Sequence, residues 1–175
     1  MAGKSFKLEK WAERHRNPFA EMHFDAVVMA DLGGPFDRPA SDEKFYRYQD
    51  AWKLNGISRW AIADPSGRFL GYVGVMKRSD PDHPLGPHYE IGWRLCSDAW
   101  GNGYATEGAR QALGHAWSVI EADEIVCYTA ADNLRCQNVI ERLNLRRDAA
   151  RDFTAKYPRG AWNGLLWVSD RPLSE

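Results

Sequence analysis

Six consecutive residues offer the clearest chemistry in this 175-residue chain: Trp100-Gly101-Asn102-Gly103-Tyr104-Ala105. They stand between a β-rich run and the strongest helical pattern. A turn so placed aims free backbone N–H groups, and the positive end of a helix dipole, at one point. Such a point binds a phosphate or pyrophosphate. Gly101 and Gly103 carry no Cβ to hold a ligand off the backbone, and Ala105, Gly108 and Ala109 are small enough to let the helix lie close to a sheet. The segment is not the dinucleotide fingerprint, because Thr106 stands where a third glycine belongs, and it lacks the Gly-Lys-Ser/Thr ending of a Walker loop. Taken alone, two glycines before a helix also describe a plain tight turn.

The neighbours of this turn narrow the choice. A strand reading Tyr89-Glu90-Ile91-Gly92-Trp93-Arg94-Leu95 precedes it, and further on Asn133-Leu134-Arg135-Cys136 opens a helix that closes at Leu143-Asn144-Leu145. In this order the three segments resemble the GNAT acetyltransferases, in particular the branch similar to the ribosomal-protein N-terminal acetyltransferases RimJ and RimL. That family's pattern is Arg/Gln-x-x-Gly-x-Gly/Ala, then Asn-x-x-Ser, then a helix end like Leu-Gly-Phe. The resemblance runs over nearly the whole chain and is densest from Glu90 to Arg147. Three departures matter. Trp100 replaces a polar residue, so the loop backbone must hold the phosphates. Cys136 replaces Ser, keeping a small side chain with a weaker donor. Asn144 replaces a glycine, which a left-handed helix cap tolerates.

The resemblance implies a GNAT fold in one domain over residues 1–175: an α/β (α+β) architecture with a mixed, mostly antiparallel sheet flanked by helices. The sheet would splay at the strands around 90–96 and 124–130. It implies acetyl-CoA as cosubstrate with no metal. Leu95 and Cys96 would offer backbone groups to the pantetheine arm, and the segment Trp100, Gly101, Asn102, Gly103, Tyr104 and Ala105 would hold the pyrophosphate. Asn133 would bond the pantetheine or a catalytic water, and Cys136 would sit near the thioester.

The implied reaction is attack of a neutral amine on the thioester carbonyl. It needs a base for the amine proton and a donor for the departing thiolate. Glu90 is the candidate base, with a structural carboxylate as the plain alternative. Many GNAT enzymes use a Tyr as the acid, but Ile140 occupies the matching position, which leaves Cys136 as the candidate donor or as a space-filling side chain. A peptide α-amine with a pKa of about 7.7–8.0 is easier to deprotonate than a lysine near 10.4, which favours an N-terminal acceptor. A polyamine or antibiotic amine, or a silent acetyl-CoA-binding module, are the alternatives.

The elements that must position these residues follow from periodicity. Ser5 to Lys10 reads as a strand, and Asn17-Pro18 opens a helix to about Ala30. A second helix runs from Ser41 to Asn55-Gly56, where Gly supplies the cap. Ser58–Asp64 and Phe69–Met76 pair as a hairpin around Asp64-Pro65-Ser66-Gly67. His88–Cys96 is a strand and Tyr104–Ile120 the best helix, with Ala105, Ala109, Ala112, Ala116 and Ile120 at helical spacing. Ile125–Ala130 is a buried strand, Asn133–Leu143 a helix, and strands are expected around 147–153 and 161–169.

Composition bounds the rest. Lys+Arg number 23 against 24 Asp+Glu, so the chain lacks the basic excess of a nucleic-acid binder. Cys96, Cys127 and Cys136 share no CxxC spacing and, being odd in number, argue against a disulfide framework. The charged N-terminus lacks the apolar core of a signal peptide, and no stretch approaches a membrane span; a reduced, cytoplasmic protein fits. Thirteen per cent aromatic residues suggest a possible homodimer face. Asp25, Asp31, Asp37, Asp42 and Glu43 fall on the expected acceptor side, either to attract a cationic acceptor or as helix caps. Met22, Phe24, Phe45, Tyr46 and Trp52 are candidate lining for the same cleft. Arg135, Arg142, Arg146, Arg147 and Arg151 form a basic cluster, read first as a solvated face and second as a seat for a phosphorylated cofactor.

Overall fold

The computed structural model describes residues 4–173. In chain order the elements are β1 (Lys7–Glu9), α1 (Arg16–Phe24), α2 (Arg38–Asn55), β2 (Arg59–Ala63), β3 (Phe69–Arg78), β4 (His88–Leu95), α3 (Tyr104–Val119), β5 (Glu124–Thr129), α4 (Leu134–Arg142), β6 (Arg146–Arg147), β7 (Phe153–Tyr157) and β8 (Gly160–Asp170). The strands lie in the order β1-β2-β3-β4-β5-β8-β6, with β7 hairpinned onto β8. Every pairing is antiparallel except β4 with β5. Among the described residues, no helix is long and apolar enough to cross a membrane.

The α1 helix stops at Phe24, earlier than its apolar pattern suggests. The Asp25 carboxylate accepts from the N–H groups of Val27 and Val28 at 2.8 and 3.3 Å, offering the backbone a turn in place of another helical bond. The α2 helix starts three residues before Ser41, because the Asp37 side chain caps the Ala40 N–H at 2.9 Å and Pro39 suits a first turn. Gly56 at φ +68° closes it, and Asn144 at φ +54° takes the left-handed position after α4. The strand expected at 147–153 is a correction: β6 is two residues long, a 3₁₀ turn follows, and the extended strand begins at Phe153. Asp152 causes the break, since its carboxylate grips Arg147 and accepts the Leu166 N–H at 2.9 Å.

Two large cores flank the sheet, and a third, small one gathers Val126, Leu166 and Val168. One large core lies between the strands and α3 with α4, around Ile62, Leu70, Val73, Ile91 and Ile125; the other lies under α1 and α2, around Trp11, Phe19, Phe45 and Tyr72. Fully buried aliphatics such as Leu70 each contribute about 1.5–3 kcal/mol. Gly108 sets how near α3 can come, because a Cβ there would sit 2.9 Å from Val73 Cγ1. Between β4 and β5 there is one registered pair, Glu90 with Val126. The two parallel strands therefore part toward their C-terminal ends, and the gap opens beside the Trp100 turn.

Candidate active site

Gly101 and Gly103 adopt φ +74° and +81°, and a Cβ at either would meet nothing within 4 Å. The glycines thus meet a backbone requirement and face open space. The first bond of α3 runs from Glu107 N–H to the Gly103 carbonyl at 3.0 Å. Among the described residues, no acceptor is found for the backbone N–H groups of Gly101 through Thr106. Six consecutive free donors at an uncapped helix N-terminus fit a pyrophosphate. Asn102 serves the loop itself, since its side chain donates to the Ala99 and Trp100 carbonyls at 3.1 and 3.0 Å.

Trp100 closes one side of the gap. Its indole N–H donates to the Leu95 carbonyl at 3.1 Å, and the Arg135 guanidinium stacks 3.4 Å from the ring centroid. Arg135 thus leaves the basic cluster in which composition placed it. Of the other four, Arg146, Arg147 and Arg151 pair with Asp170, Asp152 and Glu124 on the surface.

The β4 edge corrects one expectation. The Cys96 N–H donates to the Leu70 carbonyl on the β3 side at 2.9 Å, so it does not face the gap. On an antiparallel ladder the bonded pairs alternate, and the register Gly71–Leu95 and Val73–Trp93 turns the backbone groups of Leu95 and Trp93 toward β5. Trp93, not among the residues expected to bind, joins Leu95 as a residue with strand groups aimed into the opening. Burial pushes the Cys96 thiol up to about 11.

At the mouth of the gap, Arg94 of β4 holds the loop after α1. It donates to both carboxylate oxygens of Asp31 at 2.7 and 3.0 Å and to the Val28 carbonyl at 2.7 Å. Asn133 joins this group through its amide, 3.4 Å from Asp31, while its side-chain oxygen caps the Cys136 N–H at 3.2 Å. The Cys136 thiol is half-buried behind that cap and shares a hydrogen bond with Cys127; this neighbour lowers its proton affinity, and Thr129 helps.

Glu90 is 8% exposed and committed at both oxygens, to Arg59 at 3.1 Å and to Arg78 at 2.6 Å. Burial pushes its carboxyl up, but Arg78 and Arg59 outweigh that and hold it at about 2. A carboxylate so stabilised has little appetite for an amine proton. It fits the structural alternative better than the role of free base. Of the other acidic candidates, Asp25 and Asp37 cap and Asp42 pairs with Arg16 and Arg38, whereas Glu43 is exposed. Met22 and Phe45 are core, whereas Phe24 and Tyr46 are exposed. Tyr48 and Tyr72 belong to the same core, and Phe36 packs against it.

The family description Acetyltransferase (GNAT) domain matches residues 6–146. Two curated relatives are similar at low identity. The uncharacterized protein YkkB of Bacillus subtilis (strain 168) is 27% identical over 128 residues, 73% of each chain. An Aspergillus fumigatus FsC-acetyl coenzyme A-N(2)-transacetylase is 25% identical over 143 residues, 77% of this chain; the match spans 59% of that longer relative. Among solved structures sharing the fold, an acetyltransferase from Agrobacterium tumefaciens str. C58 superposes with a TM-score of 0.78 at 21% identity, covering 97% of this chain and 92% of that one. A spermidine N-acetyltransferase from Vibrio cholerae, with CoA and spermine, gives 0.72 at 14% identity over 95% of both chains. A ribosomal-protein-S5-alanine acetyltransferase from Vibrio fischeri gives 0.70 at 12% identity, over 98% of this chain and 96% of that one.

Proposed function

The chain belongs to the GNAT acetyltransferases and is an acetyl-CoA-dependent N-acetyltransferase, and on that premise we propose that its acceptor is the α-amine at the N-terminus of a protein or peptide. The observation that carries this reading is the commitment of Glu90 and Asp31 to arginines. With neither carboxylate free to act as a strong base, an amine of pKa about 7.7–8.0 suits the site far better than a lysine near 10.4. The Vibrio fischeri neighbour is a ribosomal-protein-S5-alanine acetyltransferase, which supports a protein acceptor and the RimJ/RimL-like branch.

Acetyl-CoA supplies the activated acyl group. The N–H groups of Gly101 to Thr106 would hold its pyrophosphate, and the backbone of Trp93 and Leu95 its pantetheine arm. Asn133 would orient the carbonyl side of the thioester. Cys136 is the proposed donor for the departing thiolate; a thiol lowered by its hydrogen bonds gives up a proton more readily. Three free cysteines suit a reducing, cytoplasmic setting.

Thermal melting with acetyl-CoA, CoA and NADH, followed by thiol release with peptide acceptors, tests the reading. Ligand at one hundred times its dissociation constant adds about 2.7 kcal/mol, a rise of roughly 5–11 °C at this size. A rise with both coenzyme A forms, and acetylation of a peptide that stops when its N-terminus is blocked, is the expected result. Transfer to an internal lysine instead would remove the N-terminal reading.

A further inference from the structure

The face of the sheet that meets α2 and the loop after α1 carries more positive charge than its carboxylates balance. Arg59, Arg78, Arg94 and Lys44 gather there against Glu90 and Asp31. Arg59 is 3% exposed and Arg94 is 12% exposed at the side chain. Two of the cations keep free donors. Arg78 gives only its Nε to Glu90, and among the described residues no hydrogen bond uses its two terminal nitrogens. Lys44 Nζ has no carboxylate within bridging distance among the described residues; it lies instead 5.5 Å from the Phe36 and Tyr72 ring centroids and 5.7 Å from that of Tyr48. A half-buried ammonium held by three rings with no counter-ion is a site set for an anion.

The Tyr48 ring lies under the Lys44 ammonium. Burial pushes its hydroxyl up, yet Lys44, Arg59 and Arg78 together bring it down to about 7. Its ring packs at 5.3 Å on Tyr72, which pairs across the ladder with Arg94. The cations therefore line one stretch of this face, from the mouth of the β4–β5 gap back toward Glu90, a span of about 13 Å for four strand residues.

We infer that the acceptor of this transferase carries a carboxylate near its reacting amine, seated against the Lys44 ammonium. The inference rests on the amine-acetylation reading above and gives its acceptor a sign of charge. It also sets this chain apart from an enzyme for polycations, whose acceptors this face would repel. The carboxylate has two sources: the α-carboxylate of a free amino acid, or an acidic side chain beside a peptide N-terminus.

The test is a matched acceptor panel at fixed acetyl-CoA, read as kcat/KM by thiol release. Its arms are a free amino acid and its amide, peptides beginning Ser-Glu and Ser-Gln, and spermidine. The acid member of each pair is expected to exceed its amide at least tenfold, and spermidine to trail all of them. Whichever acid leads, amino acid or peptide, identifies the source. Lys44→Gln should shrink the gap by raising acceptor KM, with the KM for acetyl-CoA unchanged, and Lys44→Arg should restore it. Amides or spermidine used as well as the acids would overturn the inference while leaving amine acetylation standing. A gap that survives intact in Lys44→Gln would overturn it as well. If no panel member is acetylated although coenzyme A raises the melting temperature, the inference and the N-terminal reading fall together.

Discussion

Arg59 of β2 reaches Glu90 of β4 across the intervening strand, its Nη2 3.1 Å from the carboxylate and its Nη1 2.9 Å from the Glu90 carbonyl. The path is open because β4 carries Gly92, where a Cβ would lie 2.7 Å from Arg59 Nη2. A buried ion pair thus ties the floor of the sheet face under α2 to the strand whose far end opens toward the Trp100 turn. The carboxylate that chemistry would recruit as a base is the one that holds this floor together.

Glu90→Gln should therefore act on stability first. Removing one partner of a buried pair costs about 3–5 kcal/mol, and Gln recovers part of it through hydrogen bonds. Urea unfolding should show a loss of several kcal/mol with an unchanged slope. The remaining activity should keep its acid limb, since a group at about 2 does not titrate in the working range. Wild-type stability combined with a lost acid limb would restore Glu90 as the base.

Gly103→Ala and Gly56→Ala separate backbone strain from cofactor binding. Both positions are left-handed with open space for a Cβ, so each substitution should cost about 1–2 kcal/mol. Only Gly103→Ala should also raise the dissociation constant for coenzyme A, at least tenfold by calorimetry, because its methyl group stands at the ring of free N–H donors. Equal coenzyme A binding by both variants would mean that the loop is a turn and nothing more.

Asp31→Asn releases Arg94 from its two-pronged grip and loosens the loop after α1. Losing charge-assisted bonds costs about 1–3 kcal/mol. Steady-state kinetics should show acceptor KM rising severalfold while the KM for acetyl-CoA stays put. A matched rise in both would place the loop's influence on the cofactor side.

Stability should fall on mild acidification. His23 is fully buried, and burial, with Lys44 and Arg94 adding, holds it at about 2. The unfolded chain takes up a proton below about 6.5 that the folded state refuses. Stability is therefore full above that value and drains as pH falls below it, by about 1.4 kcal/mol per pH unit for this group. Glu90 adds a second loss between about 4.5 and 2. Urea unfolding at pH 8, 6 and 5 should trace the first slope, and His23→Leu should flatten it. A slope unaltered in that variant would assign it to other histidines.

Local chemistry is legible in the sequence wherever one segment makes its own geometry. The Gly101–Gly103 turn and its helix, the Asp64–Gly67 hairpin and the left-handed Asn144 depend on neighbours in the chain, and short-range backbone rules decide them. So does the repeat of small residues that lets α3 approach the sheet. What the sequence left open is everything decided by partners far along the chain. The backbone groups of Leu95 and Trp93, rather than those of Cys96, face the gap because the register with β3 sets which groups point which way. Arg135 became a lid on Trp100, and Lys44 a caged cation, only when helices separated in sequence met the sheet. Glu90 lost its appeal as a base for the same reason: its proton affinity is set by Arg59 and Arg78, 31 and 12 residues away. A residue's type is local, but its charge state and direction belong to whatever the fold brings beside it.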